Sequence, residues 1–369
     1  MPSQEITVPL DYTLAAHSLV HIQRGLTGQL AQQIGTLVAD RGVFLVTDEN
    51  VSRLHGSAVA AELQKCSPAV HIHVVPAGES SKSAAPLHQL WNAMAACGLT
   101  REARVVALGG GVVGDLAGFA AATFGRGLAW LQIPTTLMAQ VDSSLGGKVG
   151  INLTAGKNLV GCVWQPEHVL IDPDLLATLP WREFQSGLAE VVKYAAILGE
   201  PFLSRLRGSA AALRQRDPQI LSDVIADCCR CKLELVRRDP LDQLGIRAAL
   251  NYGHTFGHAI EHVAGYGTLT HGEAVAMGIG LAARLARRLG WVTDAFVETQ
   301  ADLLQRFELP TQTPSLPADD LVQAMTRDKK ARRGQLRFVL PRDWGDLVLT
   351  ELPTAADVAA VLAEEMKSS

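Results

Sequence analysis

The segment RVVALGGGVVGD, residues 104–115, joins an apolar run to a glycine-rich turn. The apolar run is typical of a buried strand, and the residues after Asp115 are compatible with a helix. The glycines match G-x-G-x-x-G, a pattern in which backbone N–H groups and the start of the next helix bind a pyrophosphate. Such turns also occur without ligands, so the pattern by itself indicates a dinucleotide site only weakly.

The acidic residue expected with this pattern is in an unusual place. A dinucleotide fingerprint normally has an acidic residue about twenty positions after its glycines, and that spacing does not hold here. A better candidate lies upstream, where the apolar run 43–47 ends in Asp48-Glu49-Asn50. At the carboxyl end of a strand, Asp48 could bind ribose hydroxyls while the later glycine turn holds phosphates.

Histidines are concentrated in a short part of the second half. Four of the eleven lie between residues 254 and 271, in NYGHTFGH (251–258) and around HGE (271–273). His254 and His258 are four residues apart, which places them on one face of a helix. Neutral imidazoles at this spacing suit a metal, and a third ligand from elsewhere would leave a position open for substrate or water. Hydrogen-bonded histidines in a helical core are the competing interpretation.

The elements divide the chain into two parts. Strand candidates and helical patterns alternate first, then amphipathic stretches dominate. The strand candidates are 43–47, 70–75, 105–108, 131–133 and 169–171, with helical patterns at 51–64 and 87–96. The later helical stretches are 182–198, 218–238, 272–289, 294–307 and 318–328, with short β candidates near 336–340 and 347–350. We expect an α/β fold: a Rossmann-like parallel-sheet domain (1–178) with helices on both faces, then a mainly α-helical, metal-binding domain (179–369).

Composition narrows the class of protein. Of the 369 residues, 48% are hydrophobic, and the net charge of −4 provides no basic surplus for nucleic acid or an anionic membrane. The N-terminal residues lack a signal pattern, and no apolar run reaches membrane-spanning length. We expect a cytoplasmic protein. The cysteine group Cys228-Cys229-Arg230-Cys231 lacks a second matching pair, so free thiols on a helix are favoured over a metal knot.

Further polar residues are expected in a cleft between the two parts. PAGESSK (76–82) and PTT (134–136) follow predicted strands, while DSSLGGK (142–148) and GKN (156–158) are glycine-rich and basic, as an anionic substrate requires. Glu190 and Lys193 lie three residues apart on an otherwise apolar helix. A buried carboxylate needs a partner, and a metal ion is a suitable one.

These motifs together resemble the 3-dehydroquinate synthase family. The resemblance runs from about residue 40 to 345 and rests on five motifs that occur in the family's order. They are GGGVVGDLAGFAA (109–121), QIPTTL (132–137), VDSSLGGK (141–148), LNYGHTFGHA (250–259) and DKK (328–330).

The resemblance implies a carbon–oxygen lyase of the shikimate pathway, which leads to chorismate and the aromatic amino acids. Such an enzyme converts 3-deoxy-D-arabino-heptulosonate 7-phosphate to 3-dehydroquinate and phosphate. It uses NAD⁺ for a transient oxidation at C5, eliminates phosphate, reduces the ketone again and closes the ring by an intramolecular aldol reaction. It also implies Zn²⁺, with Co²⁺ as an alternative, and a homodimer.

The resemblance also assigns roles to individual residues. Glu190, His254 and His271 would be the metal ligands, so that His258 becomes a proton-transfer residue. The catalytic residues implied are Lys148, Lys193, Arg247, Asn251, His258 and Asp142, and the substrate-binding residues are Arg126, Asn158, Lys232 and Lys330. For NAD⁺ the implied residues are Asp48, Asn50, Glu79, Lys82, Gly110, Gly111, Val112, Val113, Gly114, Asp115, Thr135, Thr136, Lys148, Lys157, Leu175, Leu176, Ala177 and Thr178.

Two departures from the family and three rival interpretations remain. Between Lys232 and Arg247 the family usually reads Asp-Glu-Arg-Glu, whereas this chain reads DPLDQ (239–243) with one extra residue. Gly125 stands where a bulkier residue is common, beside Arg126.

The rivals are a cyclitol-forming sugar-phosphate cyclase, a metal-dependent alcohol dehydrogenase that would release NADH, and a nucleotide-binding sensor without turnover. Retention of Asn251, His258 and 328–330 favours dehydroquinate synthase over the other cyclases.

Overall fold

The computed structural model describes residues 18–327 and 336–368. The strands of these residues are β1 (Leu19–Ile22), β2 (Gly42–Asp48), β3 (Ala69–Val75), β4 (Arg104–Gly109), β5 (Ala129–Pro134), β6 (Lys148–Leu153), β7 (Gly156–Val163), β8 (His168–Ile171), β9 (Phe338–Asp343) and β10 (Asp346–Thr350). The α-helices are α1 (Leu30–Val38), α2 (Glu49–Val51), α3 (Ser57–Gln64), α4 (Ala84–Ala96), α5 (Gly111–Thr123), α6 (Trp181–Leu198), α7 (Phe202–Arg214), α8 (Pro218–Arg238), α9 (His254–Ala264), α10 (His271–Arg288), α11 (Asp294–Arg306), α12 (Ala318–Arg327) and α13 (Ala355–Ser368).

The first half of the chain forms a six-stranded parallel sheet in the order β1-β8-β5-β4-β2-β3. Each of the five predicted strands lies in this sheet. Side chains alternate between its faces: Phe44 and Val46 pack with α4 and α5, while Val43 and Leu45 pack with α1 and α3. Because strand residues point to opposite faces in turn, both faces need a helical cover, and the expected α/β class is confirmed.

The second half is mainly helical, as expected. Helices α6 and α10 lie at its centre, and most of their residues are buried in one large core with α7, α8, α9 and α11. Strands β9 and β10 form the late antiparallel hairpin near two predicted β elements. No described helix has both the length and the apolar character needed to cross a bilayer. The division into two domains at residue 178 stays a prediction.

Several elements differ from the expectations. Residues 148–163 form an antiparallel hairpin, β6–β7, where the sequence indicated only polar, glycine-rich turns. Strand β1 pairs with β8 at the sheet edge, but its four residues are too few to show a period of their own. Helix α7 has an interrupted apolar pattern and was absent from the predicted elements. The hairpin matters most, because it forms a wall of the cleft described next.

Candidate active site

A cleft of about 1570 Å³ lies between the carboxyl ends of the parallel strands, the β6–β7 hairpin and the helices α8, α9 and α10. Ligands of open α/β sheets bind at this edge of the strands. Most residues predicted for the site line this cleft. They are Asp48, Asn50, Glu79, Lys82, Gly110, Gly111, Val112, Val113, Asp115, Thr135, Thr136, Asp142, Lys148, Lys157, Asn158, Thr178, Lys232, Arg247, Asn251, His254, His258 and His271.

Glu190, His254 and His271 come together from three helices, α6, α9 and α10. One ligand atom of each lies within 4.8 Å of the others. The Glu190 Oε1 atom is 3.6 Å from His254 Nε2 and 3.5 Å from His271 Nε2. Two imidazoles and one carboxylate form a donor set typical of zinc sites that keep a position open for substrate.

The surroundings of the Glu190 carboxylate show whether a metal cation fits this site. Its side chain is completely buried, and within the described residues neither oxygen makes a hydrogen bond of ordinary geometry. Lys193, which is equally buried, forms an ion pair with Oε2. A buried carboxylate without hydrogen bonds is costly unless a cation balances it. The residues therefore fit a divalent metal ion.

The protonation states of His254 and Glu190 suit this donor set. Burial lowers the pKa of His254 well below its usual value, which keeps its imidazole neutral. Burial alone would raise the pKa of Glu190, but Lys193 and His254 hold it well below the ordinary range. Burial alone would lower the pKa of His271, but the neighbouring carboxylates of Glu190 and Glu261 raise it to about 9, so a metal ion at Nε2 would have to displace a proton. Since Glu190 stays ionised, it offers negative charge to a metal.

The start of α10 is built to hold His271 in place. Thr270 caps the helix: its hydroxyl accepts from the Glu273 N–H at 3.2 Å, and Glu273 Oε2 accepts from the Thr270 N–H at 2.7 Å. Arg182 of α6 donates to both Glu273 oxygens, at 2.9 and 2.8 Å. This reciprocal capping fixes the first turn of the helix and, with it, the position of His271.

A second group of charges surrounds Asp142, at the turn that follows β5. Lys232 donates to the Asp142 backbone carbonyl at 2.6 Å and forms an ion pair with its carboxylate. Lys193 Nζ lies 3.7 Å from the same carboxylate. Arg247 is buried nearby and donates to the Pro240 carbonyl at 3.3 Å. Despite the altered segment between them, Lys232 and Arg247 both face the cleft.

The altered segment itself reaches the cleft. Asp239 accepts from the Gln243 N–H at 2.8 Å and from the Leu244 N–H, which closes the loop. Asp242 has a positive φ of 56° and forms an ion pair with Lys148 on the hairpin. The extra residue therefore places a carboxylate beside a lysine that the resemblance assigns to catalysis.

The glycine turn lies at the other end of the cleft. Helix α5 begins at Gly111, and a Cβ added at Gly114 would lie 2.1 Å from Gln132 Nε2, so a larger residue there would force the Gln132 side chain to move. Lys82 forms an ion pair with Asp115 and donates to Asn158 of the hairpin. These contacts join the turn to the β6–β7 hairpin.

Asp48 caps the short helix that follows β2. Its Oδ1 atom accepts from the N–H groups of Asn50 and Val51, at 2.8 and 3.0 Å. Two other residues that line the cleft, Thr178 and His55, are also in contact: the Thr178 hydroxyl is 2.8 Å from His55 Nε2. The structure thus gives Asp48 a capping role that the sequence did not reveal.

A few predicted residues lie elsewhere. Glu190 and Lys193 are buried beneath the cleft wall, and Leu175 and Leu176 pack into the core. The backbone carbonyls of Leu176 and Ala177 accept from Arg216, at 2.7 and 3.0 Å. Arg126 is exposed, has a positive φ of 70°, and does not line the cleft of its own chain. Gly114 lies within α5, and Lys330 is outside the described residues.

Comparison with known proteins identifies the family. Residues 72–186 match the family model described as 3-dehydroquinate synthase N-terminal, and residues 187–331 match the one described as 3-dehydroquinate synthase C-terminal. A 3-dehydroquinate synthase from Microcystis aeruginosa is 40% identical over 360 residues, which cover 97% of this chain and 98% of that protein. The chain belongs to the 3-dehydroquinate synthase family.

Solved relatives of this 3-dehydroquinate synthase family member share its whole architecture. A 2-epi-5-epi-valiolone synthase from Streptomyces hygroscopicus, solved with NAD⁺ and Zn²⁺ bound, aligns with a TM-score of 0.89 at 30% identity, over 98% of this chain and 100% of that one. A 2-deoxy-scyllo-inosose synthase complexed with carbaglucose-6-phosphate, NAD⁺ and Co²⁺ aligns with a TM-score of 0.84 at 28% identity, over 94% and 96% of the two chains.

In this family member, Glu261 contacts the predicted site without being among the predicted residues. Its Oε2 atom is 3.1 Å from His271 Nδ1. The signal in the sequence is its spacing: Glu261 follows His254 by seven residues and His258 by three, so all three lie on one face of α9. An acidic residue on the buried, histidine-bearing face of a helix is a candidate partner for those histidines.

Proposed function

We propose that this chain is a 3-dehydroquinate synthase, a carbon–oxygen lyase that converts 3-deoxy-D-arabino-heptulosonate 7-phosphate to 3-dehydroquinate and phosphate. The reaction belongs to the shikimate pathway of aromatic amino acid biosynthesis. One observation carries the proposal: the donor set Glu190, His254 and His271 shares a single cleft with a glycine turn and a cluster of lysine and arginine side chains. Metal, dinucleotide and an anionic substrate can therefore meet in that cleft.

We propose NAD⁺ and a divalent metal, Zn²⁺ with Co²⁺ as an alternative, as the resident cofactors. When bound, NAD⁺ accepts and returns a hydride, and the metal ion acidifies the substrate hydroxyl. Glu190, His254 and His271 would hold the metal. The family relatives solved with NAD⁺ and Zn²⁺ or Co²⁺ support this assignment.

The proposed substrate has a carboxylate at one end and a phosphate at the other, so its binding site needs positive charge near both. Lys148, Lys232 and Arg247 line the cleft, and we assign them to the carboxylate and the ring hydroxyls, with Asn251 and Asn158 as hydrogen-bonding partners. An arginine can bind a carboxylate through two parallel N–H···O bonds. Lys330 and Arg126 are assigned to the phosphate.

Proton transfer is assigned to His258. It faces the cleft, its ring centroid is 5.5 Å from that of His254, and it is 6.0 Å from that of His271. It is therefore close to the donor set without belonging to it. Asp142 keeps Lys232 and Lys193 oriented beside the same space. Lys193 lies beneath the cleft wall, where its positive charge compensates the negative charge of Glu190.

For NAD⁺, we assign the pyrophosphate to the turn from Gly110 to Asp115 and the adenosine ribose to Asp48 and Asn50. Glu79, Lys82, Thr135, Thr136, Lys148 and Lys157 complete the site, with Thr178 at its rim, preceded in the chain by Leu175, Leu176 and Ala177. The strand order supports the assignment, because β4, which leads into the glycine turn, is next to β2, which ends at Asp48. We further propose a cytoplasmic homodimer in which Arg126 reaches the partner's cleft.

Phosphate release is the experiment that tests this function. Purified protein with Zn²⁺ is given the heptulosonate phosphate, with and without NAD⁺, and we expect phosphate only with NAD⁺. The cyclitol synthases found among the solved relatives define the main alternative. Turnover of glucose 6-phosphate, which has no carboxylate, in place of the heptulosonate phosphate would indicate that alternative. Net NADH release would indicate a dehydrogenase, and no turnover with any substrate would leave the sensor.

A further inference from the structure

Glu261 on α9 is a buried carboxylate that the proposed reaction does not use. Its Oε2 atom is 3.1 Å from His271 Nδ1, and its Oε1 atom accepts from Lys157 Nζ at 2.9 Å. Only 5% of the residue is exposed. Glu261 thus forms an ion pair with Lys157, and its two oxygens serve two different partners.

The imidazole of His271 lies between two carboxylates. Its Nδ1 atom faces Glu261, while its Nε2 atom is 3.5 Å from Glu190 Oε1. A carboxylate accepts hydrogen bonds, so the Nδ1–H is directed at Glu261, and Nε2 is the ring atom that would bind a metal ion beside Glu190 and His254. A carboxylate in this position also fixes the plane of the ring and makes the histidine a stronger ligand.

Lys157 extends this contact to the other side of the cleft. It belongs to strand β7 of the hairpin, whereas Glu261 and His271 belong to α9 and α10. Its ammonium also lies 4.6 Å from the centroid of the Tyr266 ring, which holds the lysine over the end of α9. A single chain of contacts therefore connects the wall beside the glycine turn to the donor set.

We propose that Glu261 is a positioning residue for His271 and that Lys157 supports it from across the cleft, so that these two side chains set the affinity for the metal. The proposal rests on the proposed metal role of His271. The proposal predicts that Glu261 does not bind the metal ion itself. It also predicts that the site binds the metal ion weakly when the negative charge of Glu261 is removed.

Zn²⁺ affinity, measured on apoprotein by competition with a chromophoric chelator, tests the proposal without any substrate. We expect Glu261→Gln to weaken binding by about 10- to 100-fold, the usual effect of losing such a partner of a ligating histidine. Lys157→Met removes the charge but keeps the length of the side chain, and we expect it to weaken binding by a smaller factor. Glu298→Gln, on the exposed side of α11, is the matched control and should bind like the unaltered protein.

The Co²⁺ absorption spectrum separates positioning from ligation. We expect Co²⁺-loaded Glu261→Gln to keep the band positions of the unaltered protein, because the ligands are unchanged. A changed spectrum, or a loss of affinity equal to that of His271→Ala, would overturn the positioning role and make Glu261 a ligand. Unchanged Zn²⁺ affinity in Glu261→Gln would also overturn it, and unchanged affinity in Lys157→Met alone would overturn the part assigned to Lys157.

Failure of the inference and failure of the proposed function give different results. If the unaltered protein and His271→Ala both fail to bind Zn²⁺, the proposed metal role fails. If the unaltered protein binds, His271→Ala does not, and Glu261→Gln binds normally, only the inference fails. Lys157 is partly exposed on a hairpin, so Lys157→Met keeps the test available should Glu261→Gln fold poorly.

Discussion

Gly272 of α10 touches the backbone of Ser186 on α6: a Cβ added at Gly272 would lie 2.0 Å from the Ser186 carbonyl oxygen. The Gly272 N–H also donates to Ser186 Oγ at 3.0 Å. Glu190 lies one helical turn after Ser186, and His271 is adjacent to Gly272. This contact between two helices therefore fixes how close Glu190 and His271 can come.

Gly272→Ala should separate these helices. The clash is with backbone, which cannot move aside as a side chain can, and overpacking of this kind typically costs about 1–3 kcal/mol of stability. Urea unfolding measures this cost, and Zn²⁺ affinity should fall as well. Gly280→Ala on the same helix is the control: no atom lies within 4 Å of the added Cβ, so it should stabilise by about 0.5–1 kcal/mol. Equal effects of the two substitutions would contradict the close contact.

Removal of the metal should abolish activity. Chelator treatment followed by Zn²⁺ or Co²⁺ should restore it, because the donor set fits a divalent ion. His271→Ala should lose metal far more than His258→Ala, since His271 Nε2 faces Glu190. Metal content by mass spectrometry checks this. An empty site in His258→Ala beside a full one in His271→Ala would refute the ligand assignment.

NAD⁺ should be required but not consumed. Asp48 at the end of β2 suits a free pair of ribose hydroxyls and would repel a 2′-phosphate, so NADP⁺ should be a poor substitute. Absorbance at the NADH band, followed beside phosphate release, measures both points. Accumulation of NADH in proportion to product would argue instead for a dehydrogenase. Asp48 also caps α2, so thermal unfolding of Asp48→Asn is needed to separate stability from cofactor choice.

Arg126→Ala should weaken substrate binding but leave metal and NAD⁺ binding intact. An arginine–phosphate contact contributes about 1.5–3 kcal/mol per charge-assisted hydrogen bond, so KM should rise by an order of magnitude or more. Arg126 lies outside its own cleft, which agrees with action on a partner's substrate. Unchanged kinetics would refute a phosphate role.

Mixed dimers distinguish action within a subunit from action across an interface. At a substrate concentration far below the raised KM, Arg126→Ala is expected to have little activity and His271→Ala none. A heterodimer of the two would contain one cleft with all its residues if Arg126 acts on its partner. Recovered activity after mixing is the expected result. No recovery in heterodimers confirmed by native mass spectrometry would assign Arg126 to its own subunit.

Local patterns predict most of the fold. The five strand candidates were correct because each is a short, buried apolar run, and a parallel sheet covered on both faces shows such runs clearly. The β6–β7 hairpin was missed because most residues of β7 are partly or fully exposed, so no apolar alternation marks it. Strand β1 was missed because its place depends on pairing with a strand far along the chain.

The site was less predictable than the fold. Glu190, His254 and His271 come from three helices, and only packing shows that their ligand atoms meet. Glu261 and Asp242 escaped prediction because each acts through a tertiary contact, with His271 and with Lys148. Arg126 differs from these two residues: it was predicted to bind the substrate phosphate, but it does not line the cleft of its own chain.

The pairing of β1 with β8 has a consequence for how the chain folds. Contacting residues on the two strands, such as His21 and His168, are separated by 147 positions. At about 5–20 residues per second, roughly 7–30 s pass on the ribosome between the synthesis of one strand and of the other. During that interval β1 has no strand to pair with, and closing so long a loop gives the sheet a high contact order. Strand β1 is therefore made long before it can join its sheet.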